Sequence, residues 1–268
     1  MVQAFMGSGA RRVFRLGGAL LWLSLSPWAQ AQEPRAAASS PVSARAQAPF
    51  DLTGYWVSLI TQNWRFRMVL PGRGDYAGIP INPKGKQFAD AWQPAADIAA
   101  GRQCEAYGAP SVMQIPERLR IGWQDDETLR VDTDEGMQTR LLYFGAAASA
   151  PVSPSLQGTS RSRWAMFALT NPAGAAAPQS AAQRYGTLVV TTEHLMPGLL
   201  RKNGVPYGAQ TKLSEYWKLR TLRSTRWLLI STKVTDPEYL AAPYVYDSIF
   251  QQEPDGARWA PGACSLTS

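Results

Sequence analysis

Between residues 118 and 144 apolar and polar side chains alternate with a period of two, and short turns interrupt the alternation. Leu119, Ile121 and Trp123 interleave with Arg118 and Arg120, and Asp125-Asp126 then makes a turn. Leu129, Val131 and Thr133 interleave with Arg130 and Asp132, Asp134-Glu135-Gly136 turns again, and Gln138 to Phe144 forms a third run. A period of two places every second side chain on one face, so each run has an apolar face to bury. Strands this short, joined this tightly, pair antiparallel and curl into a barrel or sandwich.

The pattern recurs along the chain. Within residues 52–70, Trp64, Phe66 and Met68 alternate with Arg65, Arg67 and Val69, which predicts a strand. Further strands are expected over 161–169, 186–193, 211–219, 227–234 and 244–250. Asn203-Gly204 is a type I′ turn signal joining 199–202 to a strand from Val205. The exception is 83–105, where Phe88, Ala91 and Trp92 have helical spacing and Pro94 breaks the run. Ala/Pro/Ser-rich stretches at 145–160 and 171–183 read as loops. The expected fold class is all-β and mainly antiparallel: one barrel domain over 50–268 with a short helical insertion.

The N-terminus reads differently. Arg11, Arg12 and Arg15 precede a short apolar run from Leu16 to Leu25, and Ala29-Gln30-Ala31 is a small-x-small site. Residues 1–31 therefore read as a signal peptide cleaved before Gln32, implying a periplasmic or secreted protein. Arg11-Arg12 leaves the choice between the general and the twin-arginine route open. The apolar run is shorter than the about 20 residues of a membrane span, and no membrane span is expected elsewhere. Residues 32–49, rich in Ala, Ser, Pro and Gln, read as a disordered linker.

The chain carries 27 Lys and Arg against 20 Asp and Glu. Removing Arg11, Arg12 and Arg15 lowers the net charge from +7 to +4, and the remaining bases are scattered. No nucleic-acid partner is expected, because that needs a concentrated basic footprint. Cys104 and Cys264 are the two cysteines. In an exported chain they read as a disulfide, the alternative being two buried thiols.

Chemistry is sparse. His194 is the one histidine, and there is no Cys-x-x-Cys, so no metal site is expected. Asp132-x-Asp134-x-Gly136 resembles the opening of a calcium loop but lacks its later glutamate, and reads as an acidic turn. Nucleophile-elbow, phosphate-loop and dinucleotide motifs are absent, and no cofactor is expected. Alternation places Glu215 among Thr211, Leu213, Trp217 and Leu219, and His194 with Leu188, Val190 and Thr192. A glutamate and an imidazole facing one cavity would serve as an acid–base pair; the alternative is an Arg–Glu pair in the barrel wall and a structural histidine. Trp64, Arg65, Arg67, Trp123, Arg201, Tyr216 and Trp217 are the candidate ligand-binding residues, aromatic faces for an apolar body and bases for polar groups.

Asp51-Leu52-Thr53-Gly54-Tyr55-Trp56 contains Gly-x-Trp at the entry to the first strand, which is similar to the opening of lipocalins. In that family the Trp plugs the closed end of an up-and-down barrel. Cys104 with Tyr107-Gly108-Ala109-Pro110 and Met113, Gly186-Thr187-Leu188-Val189-Val190, Val234-Thr235-Asp236-Pro237-Glu238-Tyr239, Pro243 and Cys264 resemble a group of exported bacterial proteins without an established activity. The resemblance implies a lipocalin-like barrel and no particular reaction. Two readings follow: an exported barrel that binds a small apolar or aromatic molecule, or a cofactor-independent lyase, isomerase or hydratase using Glu215 and His194. Whether the chain is an enzyme, and its oligomeric state, stay open at this level.

Overall fold

In the computed structural model, nine strands of the described residues close into a barrel. The structure describes residues 42–145, 153–167 and 185–267; the signal-peptide reading of 1–31 and most of the 32–49 linker lie outside them. The strands are β1 (Gly54–Leu59), β2 (Arg118–Asp125), β3 (Thr128–Thr133), β4 (Thr139–Phe144), β5 (Thr159–Phe167), β6 (Tyr185–Glu193), β9 (Lys212–Leu222), β10 (Thr225–Thr235) and β11 (Tyr244–Glu253). Around the barrel they run β1-β11-β10-β9-β6-β5-β4-β3-β2, with β2 pairing back onto β1. A separate hairpin pairs β7 (Gly198–Arg201) with β8 (Val205–Tyr207). The all-β barrel is thus as the alternation requires.

The up-and-down expectation needs one correction. β4 and β5 are parallel, with Leu142 opposite Ser160. Parallel neighbours require the chain to travel back along the barrel between them. Just before β5, Leu156 and Gln157 bind the helical insertion: Ala109 N–H donates to the Leu156 carbonyl at 2.9 Å, and Gln157 Nε2 donates to the Tyr107 carbonyl at 2.8 Å.

Three local expectations also change. Residues 64–68 are not a strand but the short helix α2 (Trp64–Met68), entered through Asn63 in the left-handed region at φ 53°. It buries none of its residues. Alternation alone cannot separate one exposed helical turn from a strand this short. Residues 42–49 are not linker: α1 (Ala44–Gln47) lies on the barrel, with the Ala44 carbonyl accepting from Trp164 Nε1 at 2.8 Å and its N–H donating to Glu127 at 2.9 Å. The β7–β8 hairpin exists, but of its turn residues only Gly204 has a positive φ, at 91°. A type I′ turn requires two, so this is a three-residue loop with a bulge at Leu199/Arg201.

The insertion contains α3 (Pro83–Ala91), α4 (Pro94–Ala99), a 3-10 turn over Gln103–Tyr107 and α5 (Ala109–Val112). Asn82 caps α3 by accepting from Gly85 N–H at 2.8 Å, and Pro83 occupies its first turn. Its buried face is Gly85 and Ala89, not Phe88, Ala91 and Trp92; Phe88 is exposed and tilts against Tyr239. All four residues of α5 are buried, and the helix closes one mouth of the barrel. There Tyr246 Oη donates to the Pro110 carbonyl at 3.1 Å and Ser248 Oγ to the Met113 carbonyl at 2.5 Å.

Cys104 and Cys264 form a disulfide with Cα atoms 5.1 Å apart. It fastens the C-terminal segment beside the Asp134–Gln138 turn. Gly262 N–H donates to the Asp134 carbonyl at 2.9 Å, and Gln138 Nε2 to the Gly136 carbonyl at 2.6 Å. Gly136, at φ 72°, lies so close to Tyr107 that a Cβ there would fall 2.3 Å from the ring. That turn therefore requires glycine twice over, for its backbone and for its space.

Candidate functional site

Inside the barrel Arg140 and Glu215 pair with each other, and of the guanidinium nitrogens only Nε is left without a hydrogen-bond partner among the described residues. Arg140 on β4 and Glu215 on β9 face inward with no side-chain exposure. Their contact is bidentate: Nη1 to Oε1 at 3.0 Å and Nη2 to Oε2 at 2.5 Å. Burial opposes the guanidinium charge, and Glu215 more than offsets it, so the Arg140 pKa rises. Thr192 and Ser160 extend the network, their hydroxyls 2.8 Å apart. Around it pack Val131, Leu142, Leu188, Val190, Leu213, Trp217 and Ile230, all fully buried.

His194 does not reach this network. Leu188, Val190 and Thr192 are buried as alternation requires, but β6 ends at Glu193. At His194 the backbone turns to φ 57°, which breaks the period of two and leaves the imidazole exposed. Glu215 and His194 therefore do not face one cavity.

The expected binding residues separate into five places. Trp64 and Arg65 lie on the outer surface of α2; Trp64 is 65% exposed and Arg65 pairs with Asp75 at 2.6 Å. Tyr216 points outward from β9, and Trp217 is buried in the lumen. Trp123 stands at the far end of β2 against Phe144, in an aromatic row that continues to Trp164 and Phe50. Arg67 and Arg201 come together in a cleft outside the closed mouth.

This cleft, of about 270 Å³, lies between α2, the loop after α5 and β7. Phe66, Leu70, Ile115 and Leu200 supply apolar wall, and Arg67, Arg201 and Lys202 supply charge. Arg67 is held in place by the carbonyls of Gln114, at 2.6 Å from Nε, and Met113, at 3.3 Å from Nη2. Arg201 donates to the Ala77 carbonyl at 3.0 Å, and its guanidinium sits 4.5 Å from the centre of the Phe66 ring. It also hydrogen-bonds Tyr244, whose hydroxyl donates to Gln114 Oε1 at 2.8 Å. Among the described residues neither arginine has a carboxylate within ion-pair distance. Burial lowers the pKa of both guanidinium groups, a direction opposite to that of Arg140.

Sequence reasoning passed over Glu117. It is 4% exposed, and neither carboxyl oxygen has a hydrogen-bond partner. Burial, reinforced by the charge of Asp134 and opposed by that of Arg67, pushes its pKa well above the ordinary carboxylate range. The signal was present: one step back from Leu119 along the β2 alternation reaches Glu117. Glu117 lines a second cavity, of about 460 Å³, with Asp134 and Glu135. Met68, Pro116 and Glu135 border both cavities.

Among the described residues no group of three His, Cys, Asp or Glu side chains is disposed to hold a metal ion. No helix there is long and apolar enough to cross a membrane. Compared with protein-family models, curated proteins and solved structures, the chain matches none.

Proposed function

We propose that the protein is an exported barrel that binds a small molecule with an apolar body and an anionic group, in the cleft outside the closed mouth. One observation carries the reading: Arg67 and Arg201 are partly withdrawn from water, fixed by backbone carbonyls, and among the described residues have no carboxylate at ion-pair distance. A desolvated charge is costly unless it is paired, and two of them aimed at one apolar cleft suit an anion. Guanidinium groups also match the planar geometry of a carboxylate. The Cys104–Cys264 disulfide supports an oxidising compartment and with it export; cleavage before Gln32 belongs to the same proposal and rests on the Ala29-Gln30-Ala31 pattern. Kinship with the exported bacterial group is part of the same proposal. The lyase alternative draws no support from its named pair, since Glu215 is held by Arg140 and His194 is exposed elsewhere.

The test is calorimetric titration with 3-phenylpropanoate, beside native mass spectrometry of protein purified from its own host. Saturable binding is expected, weakened by about tenfold or more in Arg201→Met. Equal affinity in wild type and variant would remove the arginines from the site.

A further inference from the structure

The cleft has a second pole. Its arginine end meets, across Met68 and Pro116, a wall that carries Glu135 and, behind it, Glu117. Glu135 is partly exposed, borders both cavities, and among the described residues forms no ion pair. Its backbone is held firmly: Glu135 N–H donates to Asp134 Oδ1 at 2.8 Å, and the chain pairs with Gly262 in the segment that the disulfide anchors. Glu117 adds an independent observation, a buried carboxyl whose two oxygens are both unpartnered. A buried polar group left unsatisfied costs about 1–3 kcal/mol, so its retention calls for an explanation.

Resting on the anion-binding reading above, we infer that the ligand is amphoteric: its anionic group meets Arg67 and Arg201, and a basic nitrogen meets Glu135 with Glu117 behind it. The two poles explain each other's lack of partners. Arg67 is close enough for Glu117 to influence its charge, yet no hydrogen bond joins them. A zwitterion laid between them neutralises both ends without closing the cleft. Burial is the main cause of the raised Glu117 pKa, and the neighbouring charges of Asp134 and Glu135 add to it. The small volume of the arginine cleft limits the class to single amino acids and molecules of similar size.

Three probes that share one phenyl body separate the terms: L-phenylalanine carries both charges, 3-phenylpropanoate only the anion, and 2-phenylethylamine only the cation. Calorimetric titration at neutral pH is expected to rank phenylalanine at least about tenfold above both of the others. In Glu135→Gln the advantage of phenylalanine over 3-phenylpropanoate should disappear, with the thermal melt reporting that the variant is folded. Should 3-phenylpropanoate bind wild type as tightly as phenylalanine, the second pole is wrong and the arginine site stands. An advantage that persists in Glu135→Gln also overturns the assignment of the basic nitrogen. If 2-phenylethylamine binds best, or none of the three binds, both readings fail together.

Discussion

The barrel lumen and the cleft outside it each hold arginine and glutamate, and they treat charge in opposite ways. In the lumen Arg140 and Glu215 are bidentate partners with no exposure, and the pair raises the arginine pKa. At the cleft the hydrogen bonds of Arg67 and Arg201 among the described residues go to carbonyl and phenol oxygens, burial lowers their pKa, and neither carboxyl oxygen of Glu117 has a hydrogen-bond partner there. A charge that is closed on itself resists unfolding into an unpaired state; a charge left open has affinity in reserve for something else. Under the proposed function the lumen is the structural half of the molecule and the cleft the functional half.

The largest effect belongs to the lumen. Glu215→Gln leaves the Arg140 guanidinium buried beside a neutral amide, which costs about 3–5 kcal/mol. At about 2–4 °C per kcal/mol for a domain of this size, the melting temperature should fall by several degrees or more. Replacing both partners, Arg140→Met with Glu215→Leu, should recover most of the loss, since a well-packed apolar pair avoids the desolvation cost. Binding of 3-phenylpropanoate should survive in the double variant. A melt unchanged by Glu215→Gln would show that this charge is not structural and would erase the contrast.

The disulfide comes next, and it acts on the cleft side. Its ends are 160 residues apart, and the chain-entropy argument allows up to about 5 kcal/mol for a loop that long. Cys104→Ser with Cys264→Ser should therefore cost about 2–5 kcal/mol in a thermal melt. Hydrogen exchange adds the spatial test. Protection should fall first around Asp134–Gln138 and the C-terminal segment, while β9 and β10 keep theirs. Uniform loss across the barrel would mean that the two halves unfold as one.

Glu117 gives the contrast a pH dependence. Its pKa is raised in the folded protein, so the folded state binds more protons than the unfolded chain between the two pKa values. Its contribution to stability is fully present below about pH 4.3, the ordinary glutamate value, and declines as pH rises toward the folded pKa. The slope for one such group approaches about 1.4 kcal/mol per pH unit. Glu117→Gln should flatten that decline and raise the melting temperature at neutral pH. A variant that melts lower than wild type at pH 7, with an unchanged pH profile, would place the carboxyl in a hydrogen bond and close the open side of the comparison.

Local pattern sufficed where burial obeys the strand period. β2, β3 and β4 and both turns between them follow from Leu119 to Phe144, because one face is apolar except at Thr133 and Arg140. The same rule misplaced two side chains by one step each. Extended past the end of β6, it carried His194 inward, where a positive φ turns it out. Stopped at Arg118, it missed Glu117, which continues the inward row. The Arg140–Glu215 contact joins residues 75 positions apart across the lumen, so no local window contains it. The candidate cleft was half legible: Arg67 and Arg201 were chosen, but on a supposed strand and a supposed type I′ hairpin, and only tertiary contacts bring them together. The parallel β4–β5 pair had no signal either, since an Ala/Pro/Ser-rich connection does not say at which end it returns.

The smallest expected effect lies at the end of the barrel remote from the cleft. Arg223 and Ser224 connect β9 to β10 with φ of 53° and 71°, and Leu222 pairs with Thr225 across them. Two positive φ values in a two-residue loop define a type I′ turn, the turn whose twist matches the strands, and Asn-Gly is its preferred sequence. The chain places neither residue there; it has Asn203-Gly204 instead in the β7–β8 loop, where only Gly204 is left-handed. An L-residue in the left-handed region is strained, and the β9–β10 register imposes that strain twice. Arg223→Asn with Ser224→Gly should therefore stabilise the protein by about 0.5–1 kcal/mol, after the added backbone entropy of glycine in the unfolded chain is offset. The melting temperature should rise by about 1–4 °C. Because the turn touches only the structural half, affinity for 3-phenylpropanoate should not move. A rise in stability accompanied by weaker binding would mean that strain at this end is transmitted to the cleft, and the two halves would have to be treated as one coupled unit.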